Sequence, residues 1–323
     1  MTASTTYGYF LASEEFGPAE LLAQAKAAEA AGFDALAISD HYHPWSDEQG
    51  QSPFVWSMIG ALSQVSSLPV TTLVTCPTVR MHPALNAQAA ATSAVLTNGR
   101  FRFGLGTGEA LNEHVLGDSW PAADLRFGML EEAMQVMRQL LTGRMTTHRG
   151  EHYTVENARL YTVPDEPPPL YVSAFGPQAA ALAGRIADGF VTMTPDAQLV
   201  EQFRDSGGGG KPVLGGLKVC WGRDRDQAVK TAHRLWPNLL LPGELGQLLP
   251  TPQHFEQASE LVTDDMVSSA ITCGNDVDEH LYSVRAYEEA GFDEVYVGQI
   301  GGEQQGFFDF YGSEVLPRLR GSA

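Results

Sequence analysis

The sequence predicts an α/β protein folded as a single closed (β/α)8 barrel, the TIM-barrel architecture, over residues 1–323. Three observations predict it. Eight short apolar segments alternate with amphipathic helices along nearly the whole chain. A helix end, a glycine turn, a phenylalanine and a strand recur at 28–39, 181–193 and 286–298 (AEAAGFDALAIS, ALAGRIADGFVTM, AYEEAGFDEVYVG). Helix-then-parallel-strand units of this kind need crossovers and a sheet covered on both faces. Finally, no G-x-G-x-x-G follows the first strand, which counts against an open dinucleotide-binding sheet; FGLGTGE follows the fourth.

Taken in order, the strands are TYGYFLA (6–12), ALAISD (35–40), PVTTLVT (69–75), FRFGLGTG (101–108), LYVSAFG (170–176), GFVTMT (189–194), VLGGLKVCWG (213–222) and EVYVGQI (294–300). The first crossover, PAELLAQAKAAEAAG, repeats alanine and leucine at helical spacing until Gly32 stops it. Insertions are expected after strands four, six and seven. Residues 143–164 alternate like a hairpin, 196–212 contain SGGGGK, and 234–267 form a long excursion before the last helix. SGGGGK lacks the G-x-x-x-x-G-K-[ST] spacing of a phosphate loop, because Lys211 precedes Pro212, so a flexible loop is expected there.

Composition narrows the function. A net charge of −19 with only four lysines, Lys26, Lys211, Lys218 and Lys230, excludes a nucleic-acid partner, which needs clustered cations. Cys76, Cys220 and Cys273 are far apart and form no C-x-x-C pair, which suits a reducing compartment without a disulfide frame. The N-terminus shows no signal peptide and no apolar run is long enough to span a membrane. A soluble cytoplasmic protein acting on a small molecule is expected, with no membrane partner.

A barrel gathers its chemistry at the C-terminal ends of its strands. There the second strand runs into ISDHYHPW, carrying Asp40, His41, His43 and Trp45, and the fourth into GTGEALN, carrying Glu109. His41 and His43 share one strand face, as metal ligands would, but the fifth, sixth and eighth strands end in SAFGP, TMTP and QIGG without further ligands, so no metal is expected. An imidazole and a carboxylate on different strand ends suit general base and acid. Asp40 points to the opposite face and reads as an anchor. Trp45, leaving the strand after Pro44, offers an indole for stacking at the rim. The Gly176-Pro177 turn presents backbone N–H groups at a helix start, a place for phosphate or for an ordinary proline-led helix.

With these residues in view, ISDHYHPW, FRFGLGTGEALNEHVLG, HYTVENARLY and SAFGPQAAALAGRIADGF resemble the luciferase-like superfamily, and within it the deazaflavin (coenzyme F420)-dependent glucose-6-phosphate dehydrogenases. The resemblance is strongest over residues 6–195. It implies a barrel, usually a homodimer, with coenzyme F420 at its C-terminal face. It implies a catalytic role for His41, Trp45, Glu109 and Glu14. Here His41 takes a hydroxyl proton while hydride passes to the deazaflavin, Glu109 protonates the reduced ring and Trp45 steadies the oxidised product. It implies coenzyme contacts from Asp40, Thr107, Gly108, Asn112, Ala174, Phe175, Gly176 and Pro177. A non-proline cis peptide is implied at Leu73-Val74, placing these two residues against the ring.

The substrate half departs from the pattern. The family's phosphate-binding lysines have no counterpart: the sixth strand runs VTMTPD, with Asp196 in place of the first, and the second region reads VTDDMVSSA. A phosphate beside Asp196, Asp264 and Asp265 would be repelled. The expected substrate is therefore a neutral sugar, glycoside or secondary alcohol, in a pocket including His43, Thr194 and Asp196. Three alternatives stand beside this reading. One is a redox-neutral epimerase with His41 and Glu14 on opposite sides of the substrate. The second is a flavin (FMN)-dependent monooxygenase of the same superfamily, and the third a non-catalytic coenzyme-binding protein.

Overall fold

The structure is a computed structural model that describes residues 5–321. Eight strands, Thr6–Leu11, Ala35–Ile38, Val70–Thr72, Phe101–Leu105, Leu170–Ser173, Gly189–Val191, Val213–Cys220 and Glu294–Gln299, pair in parallel, each with the next. Strand eight returns to strand one through Thr6↔Glu294 to Tyr9↔Val297, so these eight strands close into a barrel. We refer to these as strands one to eight; all eight fall inside the expected segments.

Apolar runs fill this sheet because both faces are covered. Tyr9 turns outward into a ring cluster with Phe33, Phe307 and Phe308, at centroid distances of 5.7, 5.7 and 4.8 Å. Phe10, the next residue, points into the lumen. The N-terminal end of the lumen is plugged by polar groups: Arg102 donates to Tyr296 Oη at 2.8 Å and pairs with Glu294, and Tyr296 Oη donates to Glu294 at 2.7 Å. Burial alone would discharge Arg102, but Tyr296 and Glu294 hold its guanidinium firmly charged. This end serves stability and leaves the opposite mouth free for chemistry.

The insertion after strand four contains helix Ala123–Leu141 and the antiparallel hairpin Thr146–Arg149 with Thr154–Ala158, as the alternation predicts. The excursion after strand seven is helical: Pro237–Leu240, Leu245–Leu248, Pro252–Ser259 and Asp264–Ala270. A short strand, Thr272–Cys273, then pairs with the end of strand seven. The expectation for 196–212 is corrected. Helix Ala197–Phe203 continues as a π turn, Arg204–Gly208, and is the connecting helix of strand six itself. Ser206 to Gly208 of SGGGGK belong to that turn, and only Gly209 to Lys211 lie in a loop. A Cβ on Gly184 would meet Ser206 Cβ at 2.8 Å, so the two helices touch there, and Lys211 Nζ donates to the Gly184 carbonyl at 2.8 Å.

Candidate active site

His41 follows strand two and is buried, and its two ring nitrogens meet different neighbours. Nε2 lies 3.4 Å from Glu14 Oε1 and 3.6 Å from Glu109 Oε1. Nδ1 lies 3.1 Å from the His43 carbonyl and 2.9 Å from Asn112 Nδ2. With its proton on Nδ1, the ring donates to that carbonyl and leaves an Nε2 lone pair for a substrate hydroxyl. Once Nε2 is protonated too, both carboxylates stabilise the imidazolium. Three strand ends are thus brought to one nitrogen.

Asn112 organises this corner. Its Oδ1 accepts from the backbone N–H groups of Tyr42 and His43 at 2.8 and 3.0 Å, while Nδ2 donates to Glu109 at 2.7 Å and faces His41. Glu14 is buried, and Ser39 Oγ donates to its Oε2 at 2.6 Å. Burial would raise its pKa, but His41, Lys218 and the Ser39 hydrogen bond outweigh burial and hold it below the usual carboxylate range. Its neighbour Glu15 accepts from Trp236 Nε1 and from the Gly301 N–H, both at 2.6 Å, yet burial still pushes its pKa up. The Trp45 ring stands 4.8 Å from that of His41 and is backed edge-on by Phe255 at 5.0 Å.

Beside this corner opens a cleft of about 540 Å³ lined by Val74, Gly106 to Glu109, Arg126 and Ser173 to Ala179, within the size range of small-molecule sites. Its wall at strand four is bare backbone by necessity. A Cβ on Gly106 would lie 2.7 Å from Val74, and one on Gly108, at φ +77°, 2.6 Å from Cys76 Sγ. At the far wall helix Pro177–Ile186 starts at Gly176 with no side-chain cap, leaving the N–H groups of Gln178 and Ala179 open towards the cleft. The bond between Leu73 and Val74 is cis, where the resemblance implies it.

Of the residues singled out in the sequence, Val74, Thr107, Gly108, Glu109, Ala174, Phe175, Gly176 and Pro177 line the cleft, and His41, Glu14 and Trp45 meet at its edge. Others lie outside the cleft lining. Asp40 is taken by Arg80 Nη2 at 2.9 Å, which also lies 3.5 Å through Nε from Glu113, so Asp40 is the anchor that strand parity suggests. His43 donates through Nδ1 to the Leu111 carbonyl at 3.0 Å. Asp196 caps helix Ala197–Phe203, and Thr194 is exposed on the rim. Glu14 and Glu109 both sit at the same nitrogen of His41. Sequence reasoning passed over Lys218, whose ammonium enters the lumen from strand seven. The signal was present, since a lysine inside the apolar run VLGGLKVCWG needs a reason. Among the described residues, no group of three or more His, Cys, Asp or Glu is arranged to hold a metal ion, and no helix is long and apolar enough to cross a membrane.

Comparison with known proteins gives the family. The chain is 36% identical to an F420-dependent glucose-6-phosphate dehydrogenase of Nakamurella multipartita, covering 97% of this chain and 96% of that one. It is 35% identical to the enzyme of the same name from Microbacterium testaceum, with 99% of both covered. Among solved structures, an F420-dependent secondary alcohol dehydrogenase in complex with an F420-acetone adduct superimposes with a TM-score of 0.91 at 29% identity, covering 97% of this chain and 98% of that one. The F420-dependent tetrahydromethanopterin reductase of Methanopyrus kandleri shares the fold, with a TM-score of 0.78 at 20% identity, covering 98% of this chain and 100% of that one. Residues 2–294 match the luciferase-like monooxygenase family, and the chain belongs to that family.

Proposed function

We propose that the protein is a coenzyme F420-dependent oxidoreductase that moves a hydride between the deazaflavin and the carbinol carbon of an unphosphorylated alcohol, sugar or glycoside. The observation that carries this reading is the His41 imidazole, with Nε2 at 3.4 and 3.6 Å from two carboxylates at the edge of the cleft. The relatives named above supply the coenzyme class, and the cleft suits it. The bare backbone of Gly106 and Gly108 admits a flat ring, Val74 and Phe175 offer apolar contact, and the open N–H groups of Gln178 and Ala179 suit an anionic tail. Val74, Thr107, Gly108, Ala174, Phe175, Gly176 and Pro177 would hold the group, with Leu73 behind Val74.

When bound, the deazaflavin supplies a two-electron hydride acceptor or donor. His41 accepts the hydroxyl proton at Nε2 as the carbinol is oxidised, and Glu14 and Glu109 hold the imidazolium. Glu109 lines the cleft and is the more exposed of the two carboxylates, at 24% against 3% for Glu14, so it is the one placed to pass a proton into the cleft. Asn112 orients Glu109 and fixes the backbone at Tyr42 and His43, and Trp45, wedged against Phe255, keeps water from the imidazole.

The unphosphorylated substrate rests on charge. The exit of strand six offers Asp196, and the segment TDDMVSSA brings no cation; Asp264 is tied to His233 at 2.5 Å. A sugar phosphate would lack its counter-charge there. The test is coenzyme reduction by purified protein over secondary alcohols, free sugars, glycosides and glucose 6-phosphate. Bleaching of the oxidised deazaflavin by neutral members is expected. Reduction by glucose 6-phosphate alone would overturn the substrate assignment, and a protein that carries FMN and ignores F420 would overturn the coenzyme.

A further inference from the structure

Lys218 is a cation the proposed mechanism leaves unused. It sits on strand seven at the level of Gly298 on strand eight. A Cβ on Gly298 would lie 3.3 Å from Phe10 Cβ and 3.4 Å from its Cδ1, so the glycine makes room for the Phe10 side chain. The ammonium is clamped between two aromatic faces, 4.2 Å from the Phe10 centroid and 3.7 Å from that of Trp236. It makes no hydrogen bond and no ion pair among the described residues. Among the described residues, the charges that act on it most are those of Glu14 and Glu15, both at the exit of strand one. Glu15 is already held by Trp236 Nε1 and the Gly301 N–H. Glu14 has Ser39 on one oxygen and His41 on the other, and among the described residues Lys218 is the permanent cation that lowers its pKa.

That arrangement matters because Glu14 is buried and its other cation, His41, is charged only when it holds two protons. While His41 waits as a neutral base, Glu14 would tend to take up a proton, and a neutral Glu14 would offer no charge to the imidazolium when Nε2 gains its proton. We propose that Lys218 is a positioning residue, whose ammonium, seated between Phe10 and Trp236, keeps Glu14 anionic while His41 is neutral and so keeps the base ready. The aromatic seat fixes the charge without hydrogen-bonding it, so Lys218 supports Glu14 and leaves its oxygens to Ser39 and His41. Burial lowers the pKa of Lys218 to about 8, against the pull of Glu14 and Glu15, so the side chain stays charged at neutral pH. The inference rests on the proposed function for its catalytic meaning, but not for its electrostatics.

The test therefore reads Glu14 directly. Coenzyme-free protein with carboxyl-labelled glutamate is titrated by carbon NMR, the Glu14 resonance being identified by its loss in Glu14→Gln. In Lys218→Met the Glu14 midpoint rises, and in Lys218→Arg it stays near that of the wild type; Lys218→Gln replaces the Met variant should that one not fold. In turnover, the acid limb of the kcat–pH profile moves upward in Lys218→Met, kcat near neutral pH falls about tenfold, and Lys218→Arg recovers most of it. A folded Lys218→Met or Lys218→Gln protein whose Glu14 titrates as in the wild type overturns the inference, whatever its activity. A Glu14 midpoint that rises in Lys218→Met, with a wild type unable to reduce F420, would leave the inference standing and remove the oxidoreductase reading instead.

Discussion

Replacing Glu14 by Gln removes one of the two charges facing His41 and nearly preserves shape. Across the 3.4 Å between Glu14 Oε1 and His41 Nε2, two unit charges attract by about 5 kcal/mol at an effective dielectric of ~20. The glutamine carbonyl retains a dipole, and Glu109 remains 3.6 Å from the same nitrogen, so about half of that attraction, ~2–3 kcal/mol, should be lost from a transition state in which His41 gains its proton. At about 1.4 kcal/mol per decade, this is a fall of roughly 30- to 150-fold in kcat. Glu14 does not line the cleft, so coenzyme affinity, read from the quenching of deazaflavin fluorescence on titration with protein, should hold. The assay is initial-rate coenzyme reduction at neutral pH with the best neutral alcohol, alongside thermal unfolding as a control. A folded Glu14→Gln protein with kcat within about threefold of the wild type would refute the claim that Glu14 stabilises the imidazolium.

Other perturbations test the scaffold. Gly108→Ala places a Cβ 2.6 Å from Cys76 Sγ at φ +77°. It should weaken coenzyme binding at least tenfold in the same fluorescence titration; unchanged affinity would mean the coenzyme does not lie against that turn. Arg80→Met leaves Asp40 and Glu113 buried without their cation and should cost about 3–5 kcal/mol in urea unfolding. A loss below ~1 kcal/mol would show that the network relaxes. Burial raises the pKa of Glu113 to about 7 despite the pull of Arg80, against ~4.3 for an unfolded glutamate. The native state then holds a proton the unfolded state has lost, so stability falls as pH climbs through that window. Wild type should lose stability relative to Glu113→Gln between about pH 5 and 7.5, and a constant difference would place a charged Glu113 in the native state throughout.

What the chain shows locally and what it assembles at a distance divide along physical lines. The strand periodicity and the strand exits rest on local pattern and on the rule that barrel sites gather at one face, and the structure agrees on both; it also brings Glu109 to 3.6 Å from His41. Strand parity likewise set Asp40 apart from His41. Its partner Arg80 lies in a connection with no periodic signal, so only the fold joins them. SGGGGK misled because four glycines in a row read as freedom, whereas here they allow close helix packing and a left-handed turn at Gly207. The two-residue strand Thr272–Cys273 is too short for any alternation to show. Lys218 was visible as a charge inside a strand, but its meaning depends on Phe10, Trp236 and Glu14, which lie far away in the chain.

The most direct measurement of the central claim is anaerobic reduction of F420 by a neutral secondary alcohol, comparing wild type with His41→Ala at matched coenzyme saturation. The account predicts bleaching of the oxidised deazaflavin with the wild type. With the variant it predicts turnover lower by at least about a hundredfold at unchanged coenzyme affinity. Equal turnover in a folded His41→Ala protein would contradict it.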